Sequence, residues 1–494
     1  DGTTVAGTAS ATGTLSVSDV DTSATRTWRL EGTPSTTYGT IAIDAATGEW
    51  TYTLDNALAA TQALSEGQSV TQTYTARVTD DFGAYVDQTL TITINGTNDV
   101  PVVANASSAT VGTLTEAGNQ DDGTTVAGTA SATGTLSVSD VDTSATRTWR
   151  LEGTPSTTYG TIAIDAATGE WTYTLDNALA ATQALSEGQS VTQTYTARVT
   201  DDFGAYVDQT LTITINGTND VPVVANASSA TVGTLTEAGN QDDGTTVAGT
   251  ASATGTLSVS DVDTSATRTW RLEGTPSTTY GTIAIDAATG EWTYTLDNDL
   301  AATQALSEGQ SVTQTYTARV TDDFGAYVDQ TLTITINGTN DVPVVANASS
   351  ATVGTLTEAG NQDDGTTVAG TASATGTLSV SDVDTSATRT WRLEGTPSTT
   401  YGTIAIDAAT GEWTYTLDNA LAATQALSEG QSVTQTYTAR VTDDFGAYVD
   451  QTLTITINGT NDVPVVANAS SATVGTLTEA GNQMTAPPWP AQPV

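Results

Sequence analysis

The chain has 494 residues, of which 56 are acidic and 12 are basic, so its formal net charge is −44. This charge disfavours nucleic acid and anionic membranes as partners, and it suits a protein that binds cations. The sequence contains no cysteine, histidine or lysine, which excludes disulfides and removes the side chains that most acid–base and nucleophilic catalysts use. We therefore predict that the chain is not an enzyme.

A 121-residue unit occurs four times, so that Asp1, Asp122, Asp243 and Asp364 are equivalent. The copies differ inside the unit at one position only, where the third copy has Asp299 in place of alanine. A unit of this length is near the common domain size and can bury its own core. We predict a string of four domains.

The strands of the unit are predicted from apolar residues that alternate with threonine or serine. In chain order they are Thr14–Ser18, Thr27–Leu30, Ile41–Ile43, Trp50–Leu54, Val70–Thr79, Thr89–Asn95 and, more weakly, Ala109–Thr115. Seven short strands predict an all-β fold, with four tandem immunoglobulin-like β-sandwiches in an elongated rod. At about 34 Å for a ten-residue strand, four such domains would reach on the order of 150–200 Å.

Two of the connections between predicted strands have sequences typical of a particular turn. Asp44–Gly48 is typical of a hairpin loop that ends in a left-handed glycine. Asp55 or Asn56 is expected to cap a short helical turn over Leu58–Leu64, with Asp299 in the first turn of its counterpart.

The boundaries are predicted from the stretch Asn98–Pro101, which recurs every 121 residues. Short joints that contain proline are good domain boundaries. The predicted repeats are 1–99, 100–220, 221–341 and 342–462, followed by a partial repeat at 463–483 and an unrelated tail at 484–494. In this register the first repeat lacks its opening strand and 463–483 is an orphan strand; the alternative boundary lies near Asp121.

Three acidic loops are expected at one end of each sandwich, because successive antiparallel strands reverse direction. In the first copy these loops are Asp19–Thr22, Asp44–Gly48 and Asp80–Gly83. They should meet the Asn-Asp pair of the preceding repeat. Calcium takes six to eight oxygen ligands, and we predict a calcium site at each of three joints. The candidate ligands are Asn98, Asp99, Asp140, Asp142, Asp201 and Asp202; Asn219, Asp220, Asp261, Asp263, Asp322 and Asp323; and Asn340, Asp341, Asp382, Asp384, Asp443 and Asp444.

Other readings of the charged and aromatic residues remain open. Aspartate favours turns, so the acidic loops are also compatible with plain turn chemistry. A second acidic set is expected at the far end, with Glu116 its member best placed to join a site: Glu31, Asp55, Glu66, Glu116, Asp121 and Asp122. Arg26, Arg29 and Arg77 are predicted to pair with acids across strands. Trp28 and Trp50 are predicted core residues.

Several stretches resemble the VCBS and cadherin-like repeats of giant bacterial adhesins. They are Gly13–Asp21, Tyr38–Asn56, Gln62–Gln68, Val78–Gly83 and Ile92–Asp99, and together they cover most of each repeat. Near-identical tandem copies are similar to the extender region of RTX adhesins of Gram-negative bacteria. That resemblance implies a row of calcium-rigidified sandwiches, export by type I secretion, and anchoring at the outer membrane. It also implies calcium ligands at the domain junctions.

The predicted function is therefore structural: an extender segment of a bacterial surface adhesin that projects a distal ligand-binding region in a biofilm. The alternative is a repeat that itself binds a ligand such as a surface glycan. The expected partners are neighbouring repeats of the same chain, in a monomeric rod with no nucleic acid and no membrane insertion. The expected location is extracellular, at the cell surface; the absence of a secretory signal indicates an internal fragment or a signal outside the sequence.

Overall fold

Alternating threonine and apolar residues form paired strands in every copy of the repeat. The structure is a computed structural model that describes residues 5–119, 124–226, 228–240, 245–347, 349–361, 364–467 and 476–478. Asp121, Asp122 and the tail 484–494 lie outside the described residues. The all-β prediction is confirmed.

The strand bounds repeat at 121-residue intervals, and a short helix recurs in the first three repeats. In the first repeat the strands are Ser10–Thr14, Arg26–Leu30, Gly39–Ile43, Glu49–Leu54, Ser69–Asp80 and Tyr85–Asn95, with a helix at Ala59–Gln62. The second repeat has strands Val102–Val103, Val111–Thr115, Gly118–Asn119, Thr125–Val126, Ser131–Thr135, Val138–Ser139, Arg147–Leu151, Gly160–Ile164, Glu170–Leu175, Ser190–Asp201 and Tyr206–Asn216, with a 3-10 turn at Ser107–Ala109 and a helix at Ala180–Gln183.

The third repeat has strands Val223–Val224, Val232–Thr236, Gly239–Asn240, Thr246–Val247, Ser252–Thr256, Val259–Ser260, Arg268–Leu272, Gly281–Ile285, Glu291–Leu296, Ser311–Asp322 and Tyr327–Asn337, with a 3-10 turn at Ser228–Ala230 and a helix at Ala301–Gln304. The fourth has Val344–Val345, Val353–Thr357, Gly360–Asn361, Thr367–Val368, Ser373–Thr377, Val380–Ser381, Arg389–Leu393, Gly402–Ile406, Glu412–Leu417, Ser432–Asp443 and Tyr448–Asn458, with a 3-10 turn at Ser349–Ala351. The strands Val465–Ala467 and Thr476–Thr478 follow.

Two sheets make the sandwich, and the second repeat shows their order. The larger sheet runs Arg147–Leu151, Ser190–Asp201, Tyr206–Asn216 and Val111–Thr115, and the smaller runs Ser131–Thr135, Glu170–Leu175 and Gly160–Ile164. The opening strand Val111–Thr115 is parallel to the closing strand Tyr206–Asn216. Both strands therefore point towards the joint with the following repeat.

The core lies between the sheets and is built on aromatic residues. Trp171 and Tyr173 are fully buried, as are Leu211, Ile213 and Ile215 from the closing strand. The Trp171 Nε1 donates a hydrogen bond of 2.8 Å to the carbonyl of Ala109, which satisfies its polar group inside the core. The prediction for the tryptophans is confirmed for Trp28, which is buried, and Trp50 packs against the same core while partly exposed.

The strand predicted at Thr14–Ser18 is wrong in position. The strand is Ser10–Thr14, and it pairs with Glu49–Leu54. Its residues are small and show no apolar alternation. The small side chains suit close packing, because a Cβ on Gly13 would lie 2.8 Å from the ring of Trp50.

The predicted helical turn at Leu58–Leu64 is shorter than expected. It covers Ala59–Gln62, and its N-cap Leu58 makes no side-chain capping bond. Asp55 instead accepts a hydrogen bond from the amide of Ala57, at 3.0 Å, one turn earlier in the chain. Asp299 precedes the third-copy helix Ala301–Gln304 and is not in its first turn, which corrects that expectation.

Because Asp299 is exposed and lies outside the helix, Asp299→Ala is expected to change the free energy of unfolding by less than about 0.5 kcal/mol. Urea titration of both chains followed by tryptophan fluorescence measures this. A shift of the midpoint beyond the error would show that Asp299 makes an interaction in the third copy.

The described residues divide into two units. One takes those within Asp1–Val223, Ser260–Arg268 and Thr321–Tyr327, and the other those within Val224–Val259, Thr269–Val320 and Val328–Val494. Each of the three joints, at Asn98–Asp99, Asn219–Asp220 and Asn340–Asp341, lies within one unit. Among the described residues, no helix has the length and hydropathy needed to cross a membrane. The predicted domain boundaries stay a prediction.

Candidate functional site: the acidic joints

At the first joint, two hydrogen bonds connect the Asn-Asp pair to the loops of the next repeat. The Asn98 Nδ2 donates to an oxygen of Asp201 at 2.9 Å, and the Asp99 amide donates to Asp142 at 2.8 Å. The Asp142 amide in turn donates to Asp140 at 3.2 Å. The structure thus brings together the residues that strand counting placed at one end.

The sixth predicted residue of this joint, Asp202, holds the neighbouring backbone. Its Oδ1 accepts a hydrogen bond from the amide of Thr146 at 3.1 Å. Its side chain is exposed, whereas Asp201 is buried and also accepts from the amides of Phe203 and Ala205. Asp202 therefore positions the rim of the joint.

The second and third joints repeat these contacts. Asn219 donates to Asp322 at 2.9 Å, and the Asp220 amide donates to Asp263 at 2.8 Å. At the third joint, Asn340 donates to Asp443 at 3.0 Å, and the Asp341 amide donates to Asp384 at 2.8 Å. The turn contacts of the first joint also recur: the amides of Asp263 and Asp384 donate to Asp261 and Asp382, and the amides of Thr267 and Thr388 donate to Asp323 and Asp444.

Glu116 belongs to the second joint. The sequence predicts it in a separate far-end set, as the member best placed to join a site, and not among the ligands of the joint. Glu116 follows the opening strand Val111–Thr115 and is fully buried. It lies at the joint because this strand runs to the same end of the repeat as the closing strand. Gln183 donates to its Oε1 at 2.7 Å. The Asn177 side chain accepts a hydrogen bond from the amide of the next residue, Ala117, and donates one to its carbonyl. Glu237 has the same place at the third joint, where Gln304 donates to it at 2.8 Å.

Of the other far-end residues, Asp121 and Asp122 lie outside the described residues, and the three that the structure describes do not join a site. Glu31 forms ion pairs with Arg29 and Arg77, and Arg77 also makes a two-pronged pair with Asp87 on the adjacent strand. The Asp55 side chain accepts a hydrogen bond from the amide of Ala57 within its own turn, and Glu66 is exposed. The expected cross-strand role of Arg77 is confirmed.

Buried oxygens without a hydrogen-bond partner are concentrated at the joints. Within the described part of the chain, five such atoms lie at the second joint: Glu116 Oε2, Asn219 Oδ1, Asp220 Oδ2, Asp261 Oδ2 and Asp263 Oδ1. The third joint has the same five, from Glu237, Asn340, Asp341, Asp382 and Asp384, and the first has three, from Asn98, Asp140 and Asp142. A buried acceptor left unpaired is costly.

Turn chemistry explains only part of this arrangement. In the Asp-x-Asp turn, Asp261 Oδ1 accepts the amide of Asp263, which is the turn contact that aspartate favours. The other oxygen of Asp261, Oδ2, is buried and has no hydrogen-bond partner among the described residues. Carboxylate and amide oxygens of this kind are the ligands that calcium prefers, so the donor set fits that ion. No three described acidic side chains are arranged as a formed metal site.

Burial makes these carboxyls hard to ionise. It raises the pKa of Glu116 to about 8, with a further contribution from the charge of Asp220. Burial, and then the charge of Asp263, raises the pKa of Asp220 to about 6. Burial, together with the charge of Asp261, also raises the pKa of Asp263 to about 6, although the hydrogen bond from the Asp220 amide lowers it. At the first joint, burial likewise raises the pKa of Asp99, Asp140 and Asp142. Ionised together without a cation, these groups repel one another.

A second contact between consecutive repeats was not predicted. At the second joint, the Ser186 Oγ lies 2.8 Å from the Ser265 Oγ, Gln189 donates to the same serine at 3.3 Å, and Thr264 donates to the carbonyl of Ala184 at 3.0 Å. The same contacts recur at the first and third joints. Serine and threonine in loops carry no sequence signal for such pairing, which explains the omission.

The fourth repeat provides a matched control for this contact. Ser428 is the counterpart of Ser186 and is equally buried, but its Oγ has no partner among the described residues. Ser186→Ala should cost about 1 kcal/mol at the second joint, and Ser428→Ala should cost nearly nothing. Hydrogen exchange of the amides in each serine's loop measures the two changes. Equal effects of the two variants would contradict a role between repeats.

Comparison with known proteins identifies the repeat. The family described as bacterial cadherin-like domain matches residues 98–217, 219–338 and 340–459, each match beginning at the asparagine of a joint. No curated protein sequence matches the chain.

Three solved cadherin structures are similar to the chain. Protocadherin Gamma B2 extracellular cadherin domains 1–5 are 14% identical, with a TM-score of 0.43 over 93% of this chain and 78% of that one. The protocadherin GammaB4 extracellular domain is 17% identical, with a TM-score of 0.34 over 88% of this chain, which spans 61% of its length. Mouse cadherin-23 EC22-24 is 14% identical, with a TM-score of 0.35 over 74% of this chain and all of that one.

Proposed function

Since the chain belongs to the bacterial cadherin-like domain family, we propose that it is a structural extender whose joints are stiffened by calcium. Cadherin-like domains are extracellular, generally bind calcium and are typically non-enzymatic structural or adhesion modules. Four copies that differ at one position suit a spacer, because a repeated binding site would require four equivalent ligands in a row. The partners of each repeat are its neighbours in the chain.

One observation carries the calcium proposal: five buried oxygens without partners meet at the second joint, and five at the third, among the described residues. At the second joint we assign Glu116 from one repeat, Asn219 and Asp220 from the connecting stretch, and Asp261 and Asp263 from the next repeat. The ligands come from both sides of the joint. One ion would therefore hold two repeats together.

Calcium would supply the positive charge that offsets the repulsion between these carboxylates. The chain itself supplies their positions. The hydrogen bond from Asn219 to Asp322 and the bond from the Asp220 amide to Asp263 tie the connecting stretch to the loops. The serine contact adds a connection that needs no metal.

The cellular setting that we propose is the surface of a Gram-negative bacterium. The extender repeats of RTX adhesins, which this sequence resembles, hold a distal ligand-binding region away from the outer membrane. In this setting the chain is part of a type I secreted, outer-membrane-anchored adhesin that acts in biofilms. Folding would follow export into a calcium-rich medium, which suits a chain with a net charge of −44.

Small-angle scattering of the whole chain, in calcium and in EGTA, tests the proposal. We expect a long maximum dimension in calcium, and a shorter and broader distance distribution in EGTA that returns when calcium is restored. Circular dichroism in both buffers shows whether the sandwiches stay folded. Identical scattering with and without the chelator would contradict stiffening by calcium.

A further inference from the structure

The crossover segment of the second repeat, residues 177–189, joins the smaller sheet to the larger one. It lies between the strands Glu170–Leu175 and Ser190–Asp201, and only Ala180–Gln183 within it are helical. Many of its polar groups are therefore available for contacts outside the segment. Those contacts reach all three parts of the second joint: the glutamate after the opening strand, the connecting stretch, and the acidic loop of the next repeat.

The first contact is with Glu116. The Gln183 Nε2 donates to its Oε1 at 2.7 Å, and the Asn177 side chain accepts from the amide of Ala117 at 2.9 Å and donates to its carbonyl at 3.1 Å. The Glu116 Oε2 is buried and has no partner among the described residues. Because the side-chain amide of Gln183 is uncharged, it orients the carboxylate without neutralising it, and the full negative charge is kept for a cation.

The second contact is with the connecting stretch. The Gly217 amide donates to the carbonyl of Gln189 at 3.0 Å. A Cβ on Gly217 would lie 2.0 Å from the carbonyl oxygen of Leu185, so only glycine allows the two backbones to approach this closely. Asn219, two residues further on, therefore starts from a fixed position.

The third contact is with the loop that carries Asp263. The next residue, Thr264, donates from its hydroxyl to the carbonyl of Ala184 at 3.0 Å, and the serine contact lies beside it. Ala184 directly follows Gln183, so neighbouring residues of one short segment hold candidate ligands from two repeats. The segment therefore ties the position of Glu116 to that of Asp263 before any ion binds.

The third joint has the same arrangement, with residues 298–310 as its crossover segment. Gln304 donates to Glu237 at 2.8 Å, and the Thr385 hydroxyl donates to the carbonyl of Ala305 at 2.8 Å. The glycine contact recurs as well. All of these contacts are between protein atoms and need no metal.

We propose that the crossover segment is a bracket that presets the calcium site at these two joints, with Gln183 as the positioning residue for Glu116 and Thr264 as that for Asp263. At the third joint the positioning residues are Gln304 and Thr385. This role rests on the proposed function and adds to it the means by which ligands from two repeats are held together before the ion arrives. Ligands that are already in place lose less conformational freedom on binding, and residues that orient metal ligands raise affinity about 10- to 100-fold.

Calorimetric calcium titration of the whole chain tests the role of the glutamines. The double variant Gln183→Met, Gln304→Met removes both donors and keeps the length of the side chains. We expect about tenfold weaker calcium binding at the second and third joints, with the first joint, which neither substitution touches, as the internal reference. The control Ala180→Met, Ala301→Met places the same side chain at exposed positions of the same helices and should bind calcium as the unaltered chain does.

A charged donor separates positioning from simple stabilisation. Gln183→Lys with Gln304→Lys keeps an N–H donor beside each glutamate and adds a positive charge, which offsets the repulsion that calcium otherwise relieves. The unfolding temperature in EGTA should rise, whereas calcium binding at both joints should fall. A structural role alone would move both measurements in the same direction, and that result would overturn the proposal.

The two ends of the bracket should also be coupled. Thr264→Val with Thr385→Val removes the hydroxyl donors, keeps the shape, and should weaken calcium binding about threefold. Combined with the methionine substitutions, the loss should be smaller than the product of the two, because a segment released at one end no longer places the other. Losses that simply multiply would show two independent contacts. Both threonines are exposed, so the valine variants test the bracket even if the methionine variants do not fold.

The possible failures are distinguishable in the same titrations. An unaltered chain that binds no calcium would contradict the proposed function and the bracket together. Full affinity in the methionine variants, beside calcium binding by the unaltered chain, would overturn the bracket alone and leave the calcium joints in place.

Discussion

Asp263→Ala is expected to remove calcium binding at the second joint and to leave the first and third joints loaded. Asp263 is 3% exposed, one of its oxygens holds the amide of Asp220, and the other has no partner among the described residues. Alanine removes a ligand and a hydrogen bond from the connecting stretch together. Calorimetric titration should show the stoichiometry of the whole chain fall by the share of one joint.

The structural consequence of Asp263→Ala should be a single flexible point. In saturating calcium, scattering should show a chain that bends at one place, whereas EGTA treatment of the unaltered chain frees all three joints. Asp299→Ala is the matched control, since it removes one exposed carboxylate from the same repeat and should change neither stoichiometry nor scattering. Full stoichiometry in Asp263→Ala would show that the second joint does not bind calcium through this residue.

Strand alternation allowed most of the fold to be predicted from the sequence. Trp50–Leu54 and Val70–Thr79 alternate apolar and polar residues because one face of each strand packs into the core, and both strands appear within one residue of the predicted bounds. Ser10–Thr14 was missed because its residues are small. Its place is determined by packing against Trp50, which only the folded structure reveals.

Which loops meet at each joint could be predicted from the direction of the strands. Strand direction alternates, so a count of strands places the Asp140 and Asp201 loops at the same end without any knowledge of side chains. Glu116 was harder to place, because its position depends on the parallel pairing of the opening and closing strands. Parallel pairing between the first and last strands leaves no local sequence signal. The serine contact depends on loop geometry and could not have been predicted.

The pH dependence of the joints should have opposite signs with and without calcium. Unpaired glutamate and aspartate in an unfolded chain titrate near pH 4, whereas in the metal-free joint the pKa of Glu116 is about 8 and that of Asp263 is about 6. The folded joint therefore favours the protonated groups. This stabilisation is complete below about pH 4 and is lost as the pH rises through 6 and 8, so the metal-free joint should loosen over that interval.

Calcium reverses the trend, because its ligands must give up their protons before they bind. Affinity at the second and third joints should rise between pH 6 and pH 8, and titration in buffers of different ionisation enthalpy should detect the protons released. Glu116→Gln with Glu237→Gln keeps the shape but removes the groups that titrate near 8, so the metal-free joints of this variant should loosen less above pH 7. An affinity that is the same at pH 6 and pH 8 would mean that these carboxyls do not bind the ion. A joint that loosens with rising pH in EGTA and tightens in calcium requires the same buried carboxyls to respond to both protons and metal.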